Sequence, residues 1–424
     1  MKNRNNCSAK EAALNTKGFR QAFKRPVIAF TLMTTVFASC LAAPMAYART
    51  PSTLPLREIQ EAEEESQLQK EQEIEVFDPL NEHMRAYLDN SDYTAAVQDR
   101  SIIEVYSPLG TAYRKPIPYE IETDRDSYLY FYNLTEDQEV YQTVYLKDNV
   151  FYVYNLVPER DYLWVLYDMD GNEFDRGYVR PMGVPRIIYT ESVHNVRDMG
   201  GWAANGGTVR YGLMYRGGSV DGALPVDQVI LKKLGIKLEL DLRTNEEAWL
   251  HTKAFGDAPA GENSIIPHSD YIRQGITGYK YGIKLDGNTK DVAVNALKRM
   301  MDSVIKGNPV YVHCAAGADR TGTICFLIEG LLGVSHEDMD RDYELTSFSF
   351  VDHDRYRNSG EYMPMVEYMN SLPGDTWEDK FAYWFESVGF DADYLNKFRQ
   401  AAINGEPAPV REFPELAEEN SEEG

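Results

Sequence analysis

Side chains alternate at the two-residue period of half-buried strands over Tyr128 to Tyr132, Tyr141 to Leu146, Val150 to Leu156, Tyr162 to Tyr167 and Phe174 to Val179. Asp168-Met169-Asp170-Gly171-Asn172 supplies a turn before the last of these. The runs are aromatic and β-branched, and residues 98–184 read as a small all-β sandwich. Beyond residue 185 the period lengthens. Pro225 starts a helix through Lys233, Ile236 to Asp241 and Ser264 to Pro267 read as strands, and Val292 to Ile305 is helical. Pro309 to His313 is a short buried strand, and an apolar helix follows Arg320 and closes at Gly333. Ser335 caps a further helix, Asp375 with Glu378 has the spacing of a capping box, and Trp377, Phe381, Trp384 and Phe385 recur on one helical face as core. Alternating elements predict an α/β domain over 185–404: a central, mostly parallel sheet with flanking helices and its active loop at the carboxyl end of a strand.

Composition changes the picture at both ends. Seven basic residues precede the apolar run Val27 to Ala43, and Ala46-Tyr47-Ala48 offers small residues for cleavage, so residues 1–48 read as an export signal and the protein as periplasmic or extracellular. The alternative is a lipoprotein anchored at Cys40. With that +6 leader removed, the chain's net charge of −24 becomes −30, which repels nucleic acid and anionic membranes. Only Cys314 and Cys325 remain, so no disulfide framework is expected. Residues 49–97, rich in Glu and Gln from Glu58 to Glu75, read as an acidic linker, and residues 405–424 as an acidic tail that frays.

The chemistry concentrates in His313-Cys314-Ala315-Ala316-Gly317-Ala318-Asp319-Arg320-Thr321-Gly322. Cys314 lies six residues before Arg320 on a loop at a helix N-terminus, where backbone N–H groups of Ala315, Ala316, Gly317 and Ala318 and the helix dipole suit one tetrahedral oxyanion. That field and the guanidinium lower the thiol pKa below ~8.5 and make Cys314 a thiolate nucleophile. Arg320 offers two planar donors to phosphoryl oxygens, Thr321 a hydroxyl for the departing thiolate, and His313 support from behind.

These residues resemble the signature loop of cysteine-dependent protein tyrosine phosphatases. Asn195-Val196-Arg197-Asp198-Met199-Gly200-Gly201, Leu213-Met214-Tyr215-Arg216-Gly217, Leu234-Gly235-Ile236 and Asp241-Leu242-Arg243 are similar, in order and spacing, to a bacterial secreted branch with tyrosine, dual-specificity and phosphoinositide activities. The resemblance implies the cysteine phosphatase fold and a cysteinyl-phosphate intermediate. It implies Asp319 as general acid, no Trp-Pro-Asp tripeptide being present; Asp270 and Asp286, on the irregular stretch before the Val292 helix, are the fallbacks. Ala318 stands where that branch usually has Lys, which weighs against phosphoinositides. Arg197 and Asp198, beside Gly200-Gly201, are read as loop charges bordering the phosphate or as a structural ion pair, and Asp241 as a supporting residue. Leu156-Val157-Pro158 with Tyr162 resembles the corner of fibronectin type III modules, so the sandwich is expected to contact protein or glycan or to act as a spacer. No cofactor or metal is expected, since His194, His268, His336 and His353 lack ligand spacing. The expected substrate is a phosphorylated protein or a small phosphomonoester. The competing readings are an inositol phosphate or phosphoinositide phosphatase and a retired phosphate-binding module.

Overall fold

The computed structural model describes residues 74–89, 115–136, 138–139, 143–247, 264–276, 287–349 and 355–413. The export signal with Cys40, nearly all of the Glu58 to Glu75 run, Asp286, His353 and residues 414–424 lie outside them.

Two sheets form the N-terminal sandwich. One has the order β1 (Glu75–Phe77), β8 (Glu173–Pro181), β7 (Tyr162–Asp168), β3 (Ser127–Asn133), β4 (Gln138–Glu139), and the other β2 (Tyr119–Glu122), β6 (Val150–Tyr154), β5 (Thr143–Lys147). Alternation puts Phe131, Tyr162, Leu166 and Val179 of the first against Tyr119, Ile121, Phe151 and Val153 of the second, a single apolar layer. The Tyr162 hydroxyl accepts from Val157 N at 3.0 Å and so ties down the corner after Leu156.

The sheet of the α/β region has the order β15 (Asp270–Arg273), β14 (Leu238–Asp241), β16 (Val310–His313), β13 (Met214–Gly217), β10 (Arg197–Asp198), β9 (Arg186–Ile187). The first four run parallel, and β10 and β9 add antiparallel edges. Mixed α/β architecture with a mostly parallel centre is therefore present. β16 and β14 are buried at every position, as strands covered on both faces must be. Helices α2 (Pro225–Lys233), α3 (Gly287–Ile305), α4 (Asp319–Leu331), α5 (His336–Glu344), α6 (Met363–Asn370), α7 (Trp377–Ser387) and α8 (Ala392–Ala402) surround it. The short strands β11 (Ala203–Ala204), β12 (Gly207–Val209) and β17 (Ile403–Gly405) make a small fourth sheet.

Four expectations are corrected. Ser264 to Pro267 is a turn, because the Ser264 hydroxyl bonds Ile266 N and Ser269 locally, and the strand is Asp270–Arg273. The capping box of α7 pairs Thr376 with Asp379, one residue along from the expected pair. The tail does not fray at Gly405: Val410 and Phe413 are buried, with their N–H groups donating to Asn396 and Glu386. Nor is residues 75–88 a bare spacer. β1 pairs parallel with β8, and the helix α1 (Glu82–Leu88) sends Met84 and Tyr87, with Leu80 before it, into the core of the α/β region.

Candidate active site

β16 carries the chain between β14 and β13 to the carboxyl end of the parallel strands, where it leaves the sheet after His313. Helix α4 begins six residues later. Its N-cap is Ala318, which has no side chain to cap with, so the N–H groups of the first turn are left for an anion. Gly317 turns the loop at φ +69°, and a Cβ there would fall 2.2 Å from Gly217 O, so no other residue fits.

Cys314 sits at the floor, 3% exposed. Burial alone would push its thiol up. The Arg320 charge, the Thr321 hydroxyl and the backbone N–H groups of Thr321 and Gly317 outweigh it and bring the thiol below its ordinary range. The Thr321 hydroxyl is buried without a conventional acceptor, which leaves the sulfur as its partner. Inactivation by iodoacetamide is accordingly expected to show a midpoint pH below that of a free cysteine, and Thr321→Ala to move it upward; a profile matching free cysteine in the wild type would contradict this.

Arg320 is aimed by a residue that the sequence reading missed. Its Nη1 and Nη2 donate to Glu247 Oε2 and Oε1 at 2.7 and 3.0 Å, two of the five N–H donors a guanidinium has. Glu247 is itself set by Thr244, whose N–H and hydroxyl donate to its carboxylate while Glu247 N donates back to the Thr244 hydroxyl. The Thr-x-x-Glu spacing after Asp241-Leu242-Arg243 is a capping-box signature visible in the sequence.

Asp319 is the first residue of α4. Both its carboxylate oxygens accept from Arg355, from Nε and Nη2 at 2.8 Å each. The Arg355 backbone is clamped in turn, its N–H donating to the Ser347 hydroxyl and its carbonyl accepting from it. The fallback Asp270 does not reach the loop. It is exposed and pairs in register with Leu238, at the opposite end of β15 from Cys314.

His313 is fully buried, with Nε2 3.1 Å from Glu239 Oε1 and Nδ1 3.1 Å from the Cys314 carbonyl. Both neighbours are acceptors, an arrangement that favours the charged ring with a proton on each nitrogen. Burial opposes that charge, and Asp241 and Glu239 together overcome it and raise the His313 pKa. Asp241 supports the loop through this contact. Burial pushes its carboxyl up, but His313 and Arg243 hold it well below the usual carboxylate range.

Arg197 and Asp198 do not border the phosphate site as loop charges. Both are 1% exposed on β10 and face different partners. Arg197 reaches Asp342, with Nε 2.7 Å from Oδ1, and Asn195 Oδ1. Asp198 accepts from Gly200 N and Gly212 N and pairs with Arg186 at 2.8 Å. Arg186 then donates to the carbonyls of Leu156 and Asn155, which seats the sandwich on the edge of the α/β sheet. Burial raises the Asp198 carboxyl despite Arg186, as suits a structural pair.

The loop is held from outside as well. Ser219 N donates to Ala315 O at 3.0 Å, Asn195 Nδ2 to Ala316 O and Gly317 O at 3.2 and 3.1 Å, and Arg216 Nη2 to Gly317 O at 3.0 Å. Arg216 Nη1 shares Asp342 with Arg197. Of these, Asn195 and Arg216 stand in the upstream motifs. Asp342 and Arg355 follow the loop by more than twenty residues with no local pattern to mark them.

Residues 188–403 match the profile of the Tyrosine phosphatase family. The chain is 30% identical over 167 residues to a candidate tyrosine-protein phosphatase of Cupriavidus necator. That similarity covers 36% of this chain and spans only 60% of the relative's length. Among solved structures, the human tyrosine phosphatase-like serine/threonine/tyrosine-interacting protein is 18% identical with TM-score 0.27, covering 37% of this chain and 91% of that one. TpbA of P. aeruginosa is 15% identical with TM-score 0.27, covering 45% and 91%, and its Cys-to-Ser variant in complex with phosphotyrosine gives 0.23, covering 46% and 89%.

Proposed function

Because this chain belongs to the tyrosine phosphatase family, we propose that it is an exported protein tyrosine phosphatase that works through Cys314. The observation that carries this reading is a buried thiol drawn below its ordinary pKa inside an uncapped helix N-terminus, with Arg320 aimed across it by Glu247. In the first step the Cys314 sulfur forms a bond to phosphorus as the bond to the tyrosyl oxygen breaks, and that oxygen takes a proton. In the second, water attacks phosphorus, the S–P bond breaks with its electrons returning to sulfur, and the water proton goes to the same acid. Asp319 is the proposed acid. Arg355 holds both its oxygens, so it donates only as that pair opens. Loop N–H groups from Ala315 to Ala318 and the Arg320 fork take the charge spread over the phosphoryl oxygens.

Among the described residues, the charge around the loop favours a single phosphomonoester over a polyphosphorylated head group. Arg320 faces Glu247, Arg355 faces Asp319, Arg243 faces Asp241 and Asp221, and Arg216 faces Asp342. Each of these cations already has a carboxylate partner. The export signal on residues 1–48 is part of the proposal, as is the sandwich of residues 98–184 as a fibronectin type III-like contact module.

The test is metal-free phosphate release by residues 49–424 from phosphotyrosine peptide, phosphoserine peptide, phosphoinositide and inositol polyphosphate. Preference for an inositide would overturn the substrate class, and no turnover of anything would leave a phosphate-binding module. Arg320→Lys is expected to lower kcat on the phosphotyrosine peptide by about 10²–10³-fold, since a point charge replaces a planar fork. Unchanged kcat would remove Arg320 from the transition state.

A further inference from the structure

Two upstream motifs, Asn195 to Gly201 and Leu213 to Gly217, converge on the outer side of the phosphate loop. Four successive carbonyls are drawn outward there. Ala315 O accepts from Ser219 N, Ala316 O and Gly317 O from Asn195 Nδ2, and Gly317 O and Ala318 O from Arg216 Nη2 at 3.0 and 3.5 Å. In a trans peptide the C=O and N–H point in opposite directions. Fixing these carbonyls outward therefore turns the N–H groups of Ala316, Gly317, Ala318 and Asp319 into the concavity where phosphate would sit. A cationic donor on the carbonyl also polarises the peptide and strengthens its N–H as a donor.

We propose that Asn195 and Arg216 are positioning residues for the phosphate: they aim the loop's N–H donors from behind without touching substrate. The orientation of the Asn195 amide is forced. Its Oδ1 accepts from Arg197 Nη1, which can only donate, and from the Ser349 hydroxyl at 3.1 Å, so Nδ2 must face the loop. Arg216 is fixed at its other end by Asp342. The inference rests on the loop from Cys314 to Arg320 being the phosphate site, and not on which phosphomonoester is turned over.

Asn195→Asp tests it with little change of shape. The Oδ1 contacts to Arg197 and Ser349 survive, while the donor to Ala316 O and Gly317 O becomes an oxygen. Tungstate affinity of the full chain, measured by calorimetry, is expected to fall about 10-fold to 100-fold, the range for losing a group that orients ligating atoms from behind. kcat/KM is expected to fall with it, and the melting temperature to stay within a few degrees of wild type. Asn195→Ala separates the lost donor from the added charge and is expected to lose a comparable factor. Wild-type tungstate affinity in both variants overturns the proposal, and so does a loss confined to Asn195→Asp. A wild type that binds tungstate but does not turn over phosphotyrosine fails the functional reading and leaves this one standing.

Discussion

Cys314→Ser is expected to leave no measurable turnover of phosphotyrosine peptide, a fall of about 10⁵-fold or more, in the range that follows removal of a covalent nucleophile. Oxygen for sulfur is nearly isosteric, but the field that lowers the Cys314 thiol cannot ionise an alcohol whose pKa lies far higher. The loop N–H groups, Arg320 and the Glu247 brace are all retained, so the variant still binds tungstate and phosphotyrosine peptide. Stopped assays and calorimetry on the same preparation separate the two properties. Activity retained above roughly a hundredth of wild type would mean another nucleophile and would remove the cysteinyl-phosphate route.

Asp342→Asn is expected to be the most damaging single change to stability near the site. Asp342 is fully buried between Arg197 and Arg216, with Oδ1 on the first and Oδ2 on the second. Burial pushes its carboxyl up, and the two guanidinium groups overcome that and hold it low. Glu329 nearby is displaced the other way, well above the ordinary carboxylate range, by burial and by Asp342 itself, so it is a poor substitute counter-ion. An amide at 342 leaves two buried cations sharing no carboxylate, a loss of about 3–5 kcal/mol. For a region of this size, each kcal/mol moves Tm by about 2–4 °C, so thermal melting at neutral pH is expected to fall by roughly 6–20 °C. The sign with pH is fixed. A carboxylate depressed in the folded state stabilises above the unfolded value of about 3.9, and that contribution is lost as pH falls through the folded value. The difference between wild type and Asp342→Asn therefore narrows on acidification. A gap that widened in acid would contradict the assignment of Asp342 as the shared counter-ion.

What the sequence disclosed and what it concealed divide along sequence distance. Pro225 to Lys233 appears as a helix with those bounds because proline at its first position fixes the start locally. The Cys314 loop was legible because its strand, its glycine and its helix are contiguous. Arg355, Asp342 and Glu247 act on that loop from 41, 28 and 67 residues away from Cys314 in pairwise contacts, which no period records. Ser264 to Pro267 resembled a strand because nothing local distinguishes a serine in a strand from one whose hydroxyl folds back on its own backbone. Arg197 and Asp198 resembled surface charges for the same reason: their partners lie on α5 and on β9. In the tail, net acidity masked two apolar side chains, Val410 and Phe413, that find places in the core.

The segment from Glu75 to Leu88 gives the chain an architecture that a parts diagram would miss. One end of it is a strand of the sandwich and the other supplies Leu80, Met84 and Tyr87 to the α/β core, where the Tyr87 hydroxyl bonds the buried Glu344. Sequence neighbours thus serve both halves, and the sandwich is not a cassette that recombination could exchange at residue 185. A fragment beginning there would uncover the core surface that Met84 and Tyr87 fill, so the boundary along the chain is not a boundary in the packing.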